Sequence, residues 1–266
     1  MMKKTTLALA VVAFSAVSSS AMAWTQSGTG GNPVEFQGTL TPEISTPWEV
    51  KVGQSVSDLN GVVEIGKSET DIFLNKSIPV LGIRVADANT KEFLGQLPGS
   101  GIVPQVSFDN KVNLSSFSYG VATLNLDVTN DSGVKIGSLA APFTVAAEST
   151  WYDKNAQRGG RTSLYATQPG DAFYGGLGSK SSAVVQQPLS VAQQLDPEFV
   201  ANYTSFGIND YQNSNTQNFG NPSIVYSAFY GAGLKSGDSL KIILDSPATS
   251  DEIQWKATLP VTISYQ

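Results

Sequence analysis

Apolar residues recur at every second position along most of the chain. Trp48-Glu49-Val50-Lys51-Val52 alternates and stops at Gly53. The stretch 32–41 alternates too, with Val34, Phe36, Gly38 and Leu40 on one side and Glu35, Gln37 and Thr39 on the other. A period of two sends successive side chains to opposite faces, so each stretch predicts a strand with one buried face. The same pattern predicts strands at 71–74, 80–86, 103–108, 121–128, 135–145, 223–230, 239–245 and 253–265. Turn signals stand between them at Asn60-Gly61, Pro98-Gly99, Asp131-Ser132-Gly133 and Ser236-Gly237-Asp238. Short strands punctuated this way predict an all-β antiparallel sandwich or barrel.

From about 147 to 221 the rhythm breaks. This stretch holds Arg158-Gly159-Gly160-Arg161, Tyr174-Gly175-Gly176 and an amide-rich run over 209–221. It also holds the strongest helix signal after the leader. Asp196 suits an N-cap, Pro197 the first helical position, and Glu198 the positive end of the helix dipole. Phe199, Val200 and Tyr203 supply an apolar side. The region is read as an insertion into the sandwich, not as a second domain.

The first 23 residues predict a secretory leader. Lys3 and Lys4 form a positive start, Leu7 to Val17 is apolar, and Ala21-Met22-Ala23 is a small-x-small cleavage site. The leader carries two of the 16 basic residues and none of the 22 acidic ones, so the chain from Trp24 has a formal charge of −8. An acidic chain with no basic block is a poor nucleic-acid binder. No later run of about 18 apolar residues predicts a spanning helix. With no Cys, the chain lacks disulfides, thiolate catalysis and Cys-based zinc sites. With no His, it lacks the commonest general base and the usual triads. The chain is read as a non-enzyme without a cofactor.

The two ends carry most of the functional information. The strand at 32–41 lies between a Gly/Ser/Thr leader, 24–31, and the hinge-like Thr41-Pro42-Glu43-Ile44-Ser45-Thr46-Pro47. A strand so tethered either completes its own sheet or reaches another molecule. Gly38 sits between Phe36 and Leu40 on the apolar side, and a glycine inside a strand marks a bulge or a close approach by another backbone. At the other end, Leu259, Val261, Ile263 and Tyr265 alternate with Pro260, Thr262 and Ser264. Pro260 lacks an N–H and fits an edge strand. The reading is that one sheet edge and part of the core stay open there, a hazard that must be covered. A strand supplied by another chain covers it in donor-strand complementation. Burying Val34, Phe36 and Leu40 is worth about 5–9 kcal/mol. Ladder hydrogen bonds add roughly 0.5–1.5 kcal/mol each. The total is comparable with the ~5–15 kcal/mol stability of a whole domain.

The sequence resembles the FaeG-like major fimbrial subunits of enteric bacteria, which assemble by the chaperone–usher route. The resemblance rests on the leader and the Trp24 start, VEFQGTL at 34–40, WEVKVG at 48–53, FYGGL at 173–177 and QWKATLPVTISY at 254–265. It implies an incomplete immunoglobulin-like β-sandwich of pilin type, with a mixed, partly helical insertion. It implies a periplasmic chaperone that lends a strand to the groove, and an outer-membrane usher that exchanges it for the N-terminal extension of a neighbouring subunit. Val34, Phe36, Gly38 and Leu40 match the donor-strand face; Leu259, Val261, Ile263 and Tyr265 match the chaperone-contacting last strand. The division that follows is leader 1–23, donor-strand extension and hinge 24–46, sandwich 47–146 and 222–266, and insertion 147–221. The resemblance also implies a cell-surface fimbrium whose insertion binds a host glycoconjugate.

Within the insertion, Trp151, Tyr152, Lys154, Arg158 and Arg161 gather aromatic and basic groups of the kind that form glycan sites. A core tryptophan beside a solvated basic loop explains the same residues, and both readings stay open. Asp251-Glu252 is the one adjacent acidic pair, and neighbours on a strand point apart, unlike glycosidase carboxylates. The turn at 130–133 lacks the acidic spacing of a calcium loop. A stand-alone secreted carbohydrate-binding sandwich is the alternative function. An outer-membrane barrel needs strands of ~9–11 residues with aromatic girdles, and the pattern here is shorter and less regular.

Overall fold

In the computed structural model the described residues are 36–39, 46–209, 211 and 213–266. The predicted leader and most of the predicted extension, Val34 and Leu40 included, lie outside them. The chain divides into two units, Met1–Glu43 and Ile44–Gln266. In the first unit, residues 36–39 belong to no strand, and Phe36 is 93% exposed.

The second unit is an open, all-β sandwich of the immunoglobulin-like pilin kind. Its strands are β1 (Trp48–Val52), β2 (Glu69–Phe73), β3 (Ile78–Val85), β4 (Phe93–Leu94), β5 (Pro104–Ser107), β6 (Val112–Ser118), β7 (Val121–Thr129), β8 (Lys135–Asp153) and β9 (Arg158–Ser163), then, after helix α1 (Pro188–Leu195), β10 (Val225–Leu234), β11 (Ser239–Leu244), β12 (Lys256–Ala257) and β13 (Thr262–Tyr265). The sheet path runs β1-β3-β10-β8-β11-β2, with β7 also on β8 and with β6 and β12 on β7. β8 joins the two layers. Its first half pairs with β7 and β11, its second half with β10 and β9. The main core lies between the layers, where Leu81, Ile83, Phe143, Val145, Tyr230 and Leu240 are almost wholly buried.

A second, smaller core lies on the outer face of β8 and β10. This explains why β10 is buried along its whole length. Tyr226, Ala228, Tyr230 and Ala232 face the main core, while Phe229 joins Ala146, Ala192, Leu195, Phe199 and Val200 outside. The outer cover comes from α1 and the turn after it. Pro188 opens α1, and Pro188, Ala192 and Leu195 are its buried side. The helix predicted to start at Asp196 is instead a single 3-10 turn, Pro197–Val200. Its expected cap is present, with the Asp196 carboxylate accepting from the Glu198 N–H at 2.9 Å. A residue before proline is steered away from the α region, so Asp196 is extended and α1 ends there. The chain cannot stay helical beyond Val200, because Asn202 must turn in to donate to the Val85 carbonyl at 2.8 Å.

Phe199 has a socket prepared for it. Gly82 on β3 and Gly231 on β10 face each other in register. A Cβ at Gly82 would stand 2.1 Å from the Phe199 ring, and one at Gly231 would stand 2.8 Å from it. Ion pairs ring this contact: Lys51 with Asp196 at 2.7 Å and Glu198 at 2.9 Å, and Arg84 with Glu49 at 2.8 Å. Asn60-Gly61, expected as a turn, lies in an irregular run, and the turn falls at 65–66. Gly61 is needed because a side chain there would strike Ile72.

Filling the socket with a methyl group is expected to lower stability by about 1–3 kcal/mol. Thermal denaturation should rank Gly82→Ala below Gly231→Ala, and both below the parent chain. Parent-like melting of Gly82→Ala would show that the ring does not depend on the glycine pair.

Candidate functional site

The segment 253–266 forms one wall of the molecule's incomplete side. Ile253, Trp255, Ala257, Leu259, Val261, Ile263 and Tyr265 are partly buried, and every residue between them is exposed. From Trp255 onward these apolar side chains pack against the main core. None reaches the burial of their counterparts on β7, where Ala122, Leu124, Leu126 and Val128 are all covered. The reason is topological. Among the described residues β12 pairs only with β7, and β13 only with β5. Each thus has one hydrogen-bonded neighbour among the described residues, and its other flank has no ladder partner there. Pro260, exposed, falls between the two short strands and contributes no N–H to either ladder.

A matching feature lies on β1. Val50 and Val52 oppose Ile83 and Leu81 in register, and directly opposed residues of an antiparallel pair share a face. Ile83 and Leu81 are fully buried, yet Val50 and Val52 are 39% and 54% exposed. The core face of this edge strand is therefore unroofed beyond Trp48. Val56 and Leu59, farther along, are also only partly buried against the core. The alternation at 48–52 was legible in the sequence; that its apolar side lacks a cover was not.

Of the residues expected to take part in strand exchange, Leu259, Val261, Ile263 and Tyr265 come together on one side of the C-terminal segment. Val34 and Leu40 lie outside the described residues. At Gly38 an added Cβ would meet nothing within 4 Å.

The five candidate receptor residues sit around the β8–β9 hairpin but do not converge. Trp151 packs on the main core. Tyr152 stacks on Phe206 with ring centroids 5.8 Å apart. Lys154 pairs with Glu92 at 2.5 Å. Arg158 is exposed and opposite Asp153. Arg161 is drawn inward to Glu148.

Glu148 is a polar hub that the alternation of the sequence does not mark. It is fully buried, on the outer face of β8 beside Phe229. Its carboxylate accepts from Arg161 Nε, from the Tyr203 hydroxyl, and from the Tyr211 hydroxyl at 2.5 Å. With the Tyr203 proton committed to Glu148, Thr150 donates to the Tyr203 oxygen at 2.5 Å. The Arg161 guanidinium lies 4.2 Å over the Tyr211 ring. Burial opposes the Arg161 charge, but the hydrogen bond and negative charge of Glu148 outweigh it and hold the guanidinium above its usual pKa. Burial, reinforced by Glu148, pushes both tyrosine hydroxyls up. The hub binds Tyr203 and Tyr211 to the sheet. Its one signal in the sequence is a lone carboxylate within the small, apolar run 145–151.

Comparison with known proteins gives a consistent picture. A family model described as "Fimbrial, major and minor subunit" matches residues 2–266. The K88 fimbrial protein AC of Escherichia coli is 28% identical over 295 residues, covering 99% of this chain and 100% of the relative. The F41 fimbrial protein of Escherichia coli is 26% identical over 287 residues, with the same coverage.

Two outcomes are expected of the Glu148 hub. Arg161→Leu leaves a buried carboxylate without its cation and should cost about 3–5 kcal/mol in chemical denaturation; a loss below about 0.5 kcal/mol would count against the hub. The pH response has a definite sign. Raised folded-state tyrosine pKa values give stability that is fully present below the unfolded value of about 10 and lost as pH rises above it. Tyr211→Phe should flatten that alkaline decline, and an unchanged slope would contradict the assignment.

Proposed function

The chain belongs to the family of fimbrial major and minor subunits, and from that premise we propose that it polymerises by donor-strand exchange and that its insertion binds host glycoconjugates. The observation that carries the first half is the partly covered apolar row of 253–265, on two short strands that each have one ladder partner among the described residues. Val50 and Val52 on β1, with Val56 and Leu59 beyond them, add further incompletely covered apolar surface for such a strand. The occupant in the fibre is the 32–41 strand of a neighbouring subunit, with Val34, Phe36 and Leu40 buried and Gly38 allowing close backbone approach. Before assembly a periplasmic chaperone covers Leu259, Val261, Ile263 and Tyr265, and an outer-membrane usher oversees the exchange. The exposure of Phe36 suits a side chain that is buried only in another copy.

For glycan binding, the supporting feature is the outer end of the β8–β9 hairpin. There the Tyr152–Phe206 stack provides an aromatic surface and Arg158 a nearby exposed cation. Trp151 and Arg161 have structural duties and serve as support for this surface, not as its contacts.

Removal of residues 24–42 should abolish fibres while the subunit still accumulates in complex with the chaperone; fibres of ordinary length from that chain would overturn strand exchange. Fibres carrying Tyr152→Ala with Arg158→Ala should assemble normally yet lose binding to immobilised host glycoconjugates. Undiminished binding would remove the hairpin end from the receptor site.

A further inference from the structure

β5 is four residues long, and two distant parts of the chain depend on it. Along one edge it pairs with β13, from Thr262↔Ser107 to Tyr265↔Pro104. Val103 and Gln266 extend the ladder with reciprocal bonds of 2.9 and 3.0 Å. Along the other edge it holds the FYGGL segment. Pro104 O accepts from Phe173 N at 2.7 Å, and Val106 N donates to Tyr174 O at 2.8 Å. Gln105 and Tyr174 thereby form a parallel bridge.

The Gln105 side chain strengthens this second attachment. It is buried, donates through Nε2 to Asp171 O at 3.0 Å, and accepts through Oε1 from Gly170 N at 3.1 Å. The Asp171 carboxylate in turn accepts from Thr167 N at 2.7 Å, Thr167 Oγ1 at 2.8 Å and Gln168 N at 3.1 Å. The fit leaves no slack. A Cβ at Gly175, whose φ is +83°, would stand 2.1 Å from Val106 O. The segment then passes its order onward, through Ala172 N to Gln217 O at 2.6 Å and through Ala166 N to Gly178 O at 3.0 Å.

We propose that β5 couples the open edge to the insertion, so that a strand laid against β13 also orders residues 167–176. The inference rests on the donor-strand reading of that edge. A two-stranded ribbon is marginal by itself, and a third strand makes it durable. While β13 has β5 as its one ladder partner among the described residues, opening of the β13–β5 pair loosens β5, and 167–176 loses its anchor in the same event. Covering β13 raises the free energy of that opening, and the insertion shares the gain. A subunit outside the fibre then presents a looser insertion than the same subunit within it, and assembly completes the adhesive surface.

The test is hydrogen exchange on the full-length chain in dilute solution, with and without a saturating synthetic peptide of residues 32–41. Exchange at 262–266 should slow, and exchange at 167–176 should slow with it by about tenfold. In Gln105→Leu, which keeps the backbone ladder and removes the two side-chain links, slowing at 262–266 should persist and slowing at 167–171 should fall to about twofold or less. Slowing at 262–266 with none at 167–176 in the parent chain overturns the coupling alone, a result that needs no variant to fold. No slowing at 262–266 overturns the donor-strand reading and the coupling together.

Discussion

An apolar row that the described residues cover only in part sets the terms for the rest of this molecule. The side chains from Trp255 to Tyr265 are close enough to the core to be partly buried and too poorly covered to be sealed. Exposed apolar surface of that kind is unfavourable in water in proportion to its area, and an unpaired strand edge beside it invites pairing. A second chain relieves both costs at once, because one strand brings apolar side chains for the groove and backbone groups for the ladder. On the proposed strand exchange, a fimbrial subunit would gain its cohesion in this way without a cysteine.

The outer layer over β8 and β10 depends on a different kind of physics. Where the edge relies on missing cover, the outer layer relies on close fit. Phe199 lies on a pair of glycines, and Glu148 collects three donors, of which Tyr203 and Tyr211 tie their part of the chain to β8 and Arg161 ties β9. A buried carboxylate is costly unless its lone pairs are met, so these donors are as necessary to the sheet as to the loop. The face carrying the glycan-binding proposal thus stands at the end of β8, whose neighbour β10 is buried along its whole length.

Strands with one buried face were legible because their alternation survives in the sequence, as in Trp48-Glu49-Val50-Lys51-Val52 and across 121–128. Alternation fails as a guide where both faces are buried. β8 therefore runs on to Asp153 through Ala146, Ala147, Glu148 and Ser149, past the point where the pattern fades. β9, with its Arg and Gly content, has almost no apolar signal at all. The local chemistry of Asp196, Pro197 and Glu198 was read correctly as a cap. It opens a turn, not a helix, because Phe199 and Asn202 have tertiary partners that the chain must reach. The Glu148 hub was hidden because its members lie on three separated stretches. At the C-terminal segment the apolar row was plain, while the shortage of cover on β1 emerges only from register, where Val50 and Val52 are exposed opposite buried neighbours.

Cross-linking addresses the central claim most directly, since the chain has no cysteine to interfere. Phe36→Cys combined in turn with Leu259→Cys, Val261→Cys or Ile263→Cys places two thiols where a donor strand and its groove should meet. A disulfide forms only when the two Cα atoms approach to about 4.4–6.8 Å. The account predicts that, for at least one pairing, fibres run on non-reducing gels as ladders of covalently joined copies. Fibres that yield only single chains at all three pairings, with or without an internal disulfide, would contradict it.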